Sequence, residues 1–142
     1  MAFRLSAFAR VPRLISDITM WTYKQTNGEL SRDGAPAGAC YSGYETGKNN
    51  PAMQSVADTG PVPQGRYSIG APECVESPGP HGPFILRLTP DPANTMFGRS
   101  GFLIHGDSIA QPGFASRGCI IASRLIREAI ARSGDRELTV IE

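Results

Sequence analysis

The chain has 142 residues, enough for one domain with a proper core and too few for two of ordinary size. Fourteen basic residues against thirteen acidic leave a formal charge of +1, so composition gives no electrostatic footprint for nucleic acid or an anionic surface. Sixteen Gly and twelve Pro, with only 19% charged residues, describe a turn-rich chain with little room for long helices, which favours β structure.

The first segment, MAFRLSAFARVPRLISDI, sets Arg4, Arg10 and Arg13 among apolar residues. Arg10, Pro12 and Arg13 break its apolar runs below signal-peptide length, and nowhere does the sequence offer the roughly 18 apolar residues of a membrane span. Residues 1–19 read as a dispensable N-terminal extension, with a short amphipathic docking segment as the other reading, and the domain proper as 20–142.

WTYKQT and ELSR flank Asn27-Gly28, a pair that tolerates positive φ at both central turn positions, and predict a hairpin. Trp21 belongs in its core, and Asp33-Gly34 marks the next corner. CYSGYETGKNNPAM, dense in Gly and Asn, predicts ordered loops over one end of the sheet. Its polar residues Tyr41, Ser42, Lys48, Asn49 and Asn50 either line a groove or serve the turns.

RYSIG, FILRLTP and SGFLIHG predict strands over 66–70, 84–90 and 100–106. In the middle strand Phe84, Leu86 and Leu88 share one face and Arg87 takes the other, while Arg99 and Ser100, just before the third, either help hold what lies in that groove or are turn and surface residues. One helix is expected, in SRLIREAIARSG. Ser123 caps it, Leu125, Ile126, Ala129 and Ile130 form its apolar stripe, and Gly134 stops it. Arg127 and Arg132 on this helix read as solvated charges, and ELTVIE as a last strand.

Cys40, Cys74 and Cys119 show no metal-ligand spacing, and with His81 and His105 far apart in sequence they argue against a metal site; no cofactor is expected. Cys40 and Cys74 are either a disulfide pair or two independent thiols. The stretch FLIHGDSIAQPGFASRGCII holds both His105, at a strand end, and Cys119, after a Gly-containing loop and before the helix. A thiol with the ordinary pKa of roughly 8.5 is mostly protonated near neutral pH, and an adjacent imidazole is its usual activator. The bland reading makes Cys119 a small buried hydrophobe and His105 a satisfied core residue. On the catalytic reading, the N–H groups of Gly118 and Cys119 form an oxyanion hole and Ser116 supports the loop or contacts substrate. His81, in the Pro- and Gly-rich SPGPHGPF, is the other candidate base, but such a loop holds an imidazole poorly.

His105-Gly106, a spacer, and then Ser116-Arg117-Gly118-Cys119-Ile120 resemble the signature of YkuD-type L,D-transpeptidases, and GPVPQGRYSIG is similar to the P-x-G-x-F/Y-x-I strand of the same domains. WTYKQTNGEL, YSGYETGKNNP, GRSGFLIHGDS and ASRGCII are together similar to the Tlde1 group, L,D-transpeptidase-related toxins delivered by type VI secretion. The resemblance implies a mainly β, L,D-transpeptidase-like β-sandwich with one short helix near the C-terminus. It also implies cysteine acyl transfer on peptidoglycan tetrapeptide stems, with Cys119 and His105 catalytic.

Within that reading Gly106 and Asp107 are candidates to orient His105, and Arg117 and Ser108 candidates to touch substrate. Arg117 stands where the related enzymes commonly have His, and Ile121 where they have Arg or Asn, which puts substrate preference in question. The implied partners are the peptidoglycan stem peptide, a cognate immunity protein and a secretion apparatus component. The implied route is synthesis in the bacterial cytoplasm without a clear signal peptide, then action in a target cell's periplasm. The rival readings are a noncatalytic cell-wall-binding or assembly module, and a cysteine amidase or endopeptidase acting on another stem bond.

Overall fold

The computed structural model describes residues 20–74 and 81–142. The expected extension over residues 1–19 lies outside the described residues. Nine strands form one sheet: β1 (Trp21–Lys24), β2 (Glu29–Arg32), β3 (Ala35–Ala39), β4 (Tyr41–Ser42), β5 (Gly65–Ile69), β6 (Leu86–Pro90), β7 (Leu103–His105), β8 (Ile120–Ile121) and β9 (Glu137–Ile141). A single α-helix, α1 (Arg124–Ser133), joins β8 to β9.

The spatial order is β3-β2-β1-β9-β5-β6-β7-β8-β4. One buried cluster draws Trp21, Tyr23 and Leu30 from one half of this order and Ile104 and Ile120 from the other. Strands from opposite ends share a core only if the sheet folds over on itself, as the expected sandwich requires.

The β1–β2 hairpin forms, with Trp21 opposite Arg32, but its turn differs from the expected one. Only Gly28 takes a positive φ, 74°, and its N–H closes on the Lys24 carbonyl at 2.8 Å. The Asn27 side chain instead accepts the Glu29 N–H at 2.9 Å, so Asn27 works as an Asx turn. The two-residue turn of the expected type lies at Asp33-Gly34, with φ of 51° and 84°.

Leu86 and Leu88 are buried and Arg87 faces outward to Glu73, as the alternation predicts. Phe84 lies outside β6, at φ 61°, so the expected strand begins two residues late. β1 runs parallel to β9, an end-to-end closure of the chain that local patterning does not announce.

In α1 the Ser123 hydroxyl accepts the Ile126 N–H at 3.2 Å and Gly134 ends the helix at φ 74°. Ile130 reaches the core while Leu125 is exposed, so the helix turns a narrower stripe inward than its four apolar residues suggest. Trp21 is buried as expected. The 41–53 loop region holds β4 and two 3-10 turns, Glu45–Gly47 and Pro51–Met53.

Candidate active site

β7 and β8 pair in parallel, Ile104 beside Ile120 and His105 beside Ile121. Ile104 and Ile120 point into the core, so alternation along the two strands turns Leu103, His105 and Ile121 to the opposite side. Cys119 immediately precedes β8 in the same alternation. The register thus brings His105 and Cys119 to one face of neighbouring strands, although they are well separated in sequence.

His105 is 2% exposed, and its Nδ1 lies 2.8 Å from the Gly106 carbonyl oxygen. A carbonyl can only accept, so Nδ1 carries the proton and Nε2 holds the lone pair. Nε2 has no hydrogen-bond partner among the described residues. Burial is the main cause holding the His105 pKa below its ordinary value, the Gly106 bond works against it, and His81 and Arg127 add to the depression.

Of the two residues expected to orient His105, Gly106 therefore does so. The Asp107 carboxylate is engaged elsewhere: it accepts the Tyr41 hydroxyl at 2.6 Å, the Ser108 N–H at 2.8 Å and the Gly113 N–H at 3.1 Å, and so fixes the loop after β7. Tyr41, in turn pushed up to about 12 by burial first and by Asp107 second, accepts the Ala115 N–H at 3.0 Å. Ser108 borders a large groove of about 830 Å³, but its hydroxyl takes the Gln111 N–H at 2.9 Å, which makes it part of the same loop.

Ser116 is fully buried, and its hydroxyl organises the loop that presents Cys119. It donates to the Cys119 carbonyl at 2.5 Å and accepts the Gly43 and Gly118 N–H groups at 2.8 and 3.1 Å. The contacts of this hydroxyl are all with backbone groups. The oxyanion role expected of Gly118 is corrected, because its N–H is already spent on this buried hydroxyl. No acceptor takes the Cys119 N–H among the described residues, so it is the donor left from the expected pair.

Ser42 also changes role, since it is buried and links the Gly118 carbonyl at 2.9 Å to the Val62 N–H at 2.8 Å instead of lining a groove. Asn49 and Asn50 likewise serve turns through their side-chain oxygens, which accept the N–H groups of Ser42 and Ala52. Lys48 sits over the rings of Tyr41 and Phe114 at 4.7 and 5.5 Å.

Cys119 lines a groove of about 370 Å³ with Ser100, Arg99, Arg117 and His81. Its thiol lies 4.0 Å from the Gly101 carbonyl. Burial pushes the thiol pKa up, while the Leu103 N–H and the charge of Arg99 pull the other way. No hydrogen bond joins it to His105 among the described residues. Cys40 is buried, Cys74 exposed, and all three cysteines are free thiols, so Cys40 and Cys74 are not bridged.

Two arginines matter more than their sequence context implies. Arg99, 9% exposed, donates to the carbonyls of Gln54, Pro61, Gly60 and Arg117 at 2.7–3.2 Å and lies over Phe102. It ties the 54–61 loop to the Cys119 loop through backbone carbonyls, rather than reaching out to hold a ligand, the role its sequence context allows. Arg127, read as a solvated charge, is 6% exposed and donates to the carbonyls of Ala122, Pro83 and Phe84 at 3.0, 3.0 and 2.6 Å. The neighbouring apolar stripe hides this reversal, since nothing in a helical period marks a charge that will be satisfied by backbone. Arg117 stacks over the Tyr44 ring at 4.2 Å, at the edge of the Cys119 groove.

The folded-over β-sheet, with one helix among the described residues, is an L,D-transpeptidase-like fold. The chain is similar to Bd1075 of Bdellovibrio bacteriovorus, with a TM-score of 0.59 and 12% identity, covering 87% of this chain and 48% of that one. It is similar to the helical cell shape determining protein Pgp2 of Campylobacter jejuni, with a TM-score of 0.56 and 20% identity over 87% and 46% of the two chains. It also resembles L,D-transpeptidase 3 of Mycobacterium tuberculosis, with a TM-score of 0.51 and 18% identity over 88% and 61%. The chain thus spans about half the length of the first two solved structures it matches.

No curated protein matches the sequence. The Tlde1 domain model matches residues 37–140, and the chain belongs to the Tlde1 domain family.

Proposed function

We propose that this protein is a cysteine acyltransferase acting on peptidoglycan tetrapeptide stems. The observation that carries the reading is the parallel β7–β8 register, which turns His105 and Cys119 to one face, with the His105 tautomer fixed by the Gly106 carbonyl and Nε2 left free. Membership of the Tlde1 family and the L,D-transpeptidase fold support the choice of substrate.

In the proposed reaction Nε2 of His105 takes the thiol proton as Sγ of Cys119 attacks the carbonyl carbon between the L-centre of meso-diaminopimelate and the terminal D-Ala. The new C–S bond gives a tetrahedral oxyanion, to which the Cys119 N–H can donate. Collapse breaks the C–N bond, and D-Ala leaves with the proton from His105, producing a thioester. Water as acceptor then yields a tripeptide, a free D-amino acid yields exchange, and a second stem amine yields a cross-link. Arg117, at the groove edge, is placed to meet a substrate carboxylate.

Membership of the Tlde1 family supports an antibacterial role. On this reading the protein is carried by a type VI secretion apparatus, acts in the target periplasm and is opposed in the producer by an immunity protein. The test is mass spectrometry of disaccharide tetrapeptides incubated with the wild type and with Cys119→Ala, with and without free D-Met. Loss of D-Ala or its replacement by D-Met, absent in the variant, is the expected result. Unchanged stems with folded protein would favour the wall-binding module, and cleavage at another bond the amidase or endopeptidase.

A further inference from the structure

The chain has two histidines, and the fold brings them together. The ring of His81 lies 4.7 Å from that of His105, centroid to centroid, with the planes at 51°. His105 is buried beneath, while His81 is exposed and borders both the Cys119 groove and the larger groove edged by Gly106 and Arg127.

A Pro- and Gly-rich loop holds an imidazole loosely on its own, but the residues just beyond His81 are tied down. The Pro83 and Phe84 carbonyls both accept from Arg127, at 3.0 and 2.6 Å, and the Arg124 guanidinium lies over the Phe84 ring at 4.4 Å. Helix α1 thereby fixes the loop against the end of β7, where His105 sits.

We propose that His81 is a positioning residue for His105: its ring packs on the buried imidazole, holds that ring in place and forms part of the wall of the Cys119 groove. The consequence for catalysis rests on the acyl-transfer reading, whereas the coupling between the rings does not. The charged and titratable groups facing His105 are His81 from the loop before β6, Arg127 from α1 and Asp107 beyond the end of β7. His81 and Arg127 both hold the His105 pKa down, and Asp107 works the other way.

The test uses two-bond proton–nitrogen NMR of the imidazoles, where two histidines give two assignable ring systems, on the wild type, His81→Gln and His81→Phe. In the wild type, His105 is expected as a single Nδ1–H tautomer. Removing the neighbouring imidazole in either variant is expected to raise the His105 midpoint. The Gly106 carbonyl is untouched in both variants, so both are expected to keep the single Nδ1–H tautomer. Folding of each variant is checked by its urea midpoint. A His105 midpoint unchanged in folded His81→Gln and His81→Phe would overturn the proposal. Loss of the acyl-transfer reading would show instead as unaltered stems with the wild type, and would leave this titration as stated.

Discussion

Replacing Gly118 by Ala tests the packing on which presentation of Cys119 depends. Gly118 has φ 135°, and a Cβ there would lie 2.6 Å from Nη2 of Arg99 and 2.8 Å from Cε1 of Phe102. A guanidinium at the end of a free side chain would swing aside at little cost. Here four backbone carbonyls hold the Arg99 guanidinium, and the Phe102 ring beneath it is 4% exposed, so neither neighbour can yield without losing its own contacts. The unfavourable backbone conformation costs about 1–2 kcal/mol and the overpacking about 1–3 kcal/mol, a total of about 2–5 kcal/mol. With a urea slope of about 1–2 kcal/mol/M, the denaturation midpoint is expected to fall by roughly 1–5 M. A Gly118→Ala protein with a midpoint within about 0.3 M of the wild type would refute the claim that Arg99 and Phe102 form a rigid wall behind this loop.

Arg127→Met leaves three buried carbonyls without their donor and is expected to cost about 2–4 kcal/mol, read by chemical denaturation. A solvated Arg127 would give a loss within about 0.5 kcal/mol. Because burial pushes the Cys119 thiol up and the His105 imidazole down, site-resolved alkylation of Cys119 is expected to climb with pH beyond the range of an ordinary thiol, with no plateau near neutrality. Cys74, which is exposed, is expected to label first at pH 7, and Cys40, pushed up to about 12 by burial, last.

The parts of the fold legible in sequence are those whose signals are local. A β-rich pair around a turn, a Ser cap and a Gly stop each depend on a few neighbouring residues, and β1–β2 and α1 form where those signals stand. β3, APAGA, carries no apolar alternation and is mostly exposed at the sheet edge, so nothing in its composition marks it. The pairing of β1 with β9 joins the first and last strands of the described residues within the sheet and has no local signature at all.

At the site, His105 and Cys119 were visible because strand end, glycine loop and helix start are sequential features. The contacts that decide their surroundings were not. Ser116 turns a three-way hydroxyl on backbone groups, Arg99 and Arg127 satisfy carbonyls from distant loops, and His81 reaches His105 only once α1 has tied its loop down. Arg127 reads as a solvated charge in the sequence, since a chain offers no local sign of which carbonyls will need a donor.

The electrostatics of the pair bear on how the proposed chemistry starts. A thiolate beside an imidazolium forms in advance when the surroundings favour both charges, but here burial disfavours each, and the positive Arg127 disfavours the imidazolium further. The resting state is therefore the neutral thiol with the neutral Nδ1–H imidazole that the Gly106 carbonyl selects. In such a pair the proton leaves sulfur as the carbonyl is attacked, so the bound stem, rather than a standing ion pair, supplies the drive. This order of events gives weight to Ser116 and Arg99, because a reaction without a preformed charge depends on how closely the loop aims Sγ at the substrate carbonyl. It also gives weight to the Cys119 N–H, which remains free to meet the oxyanion after the Gly118 N–H has been spent on holding the loop.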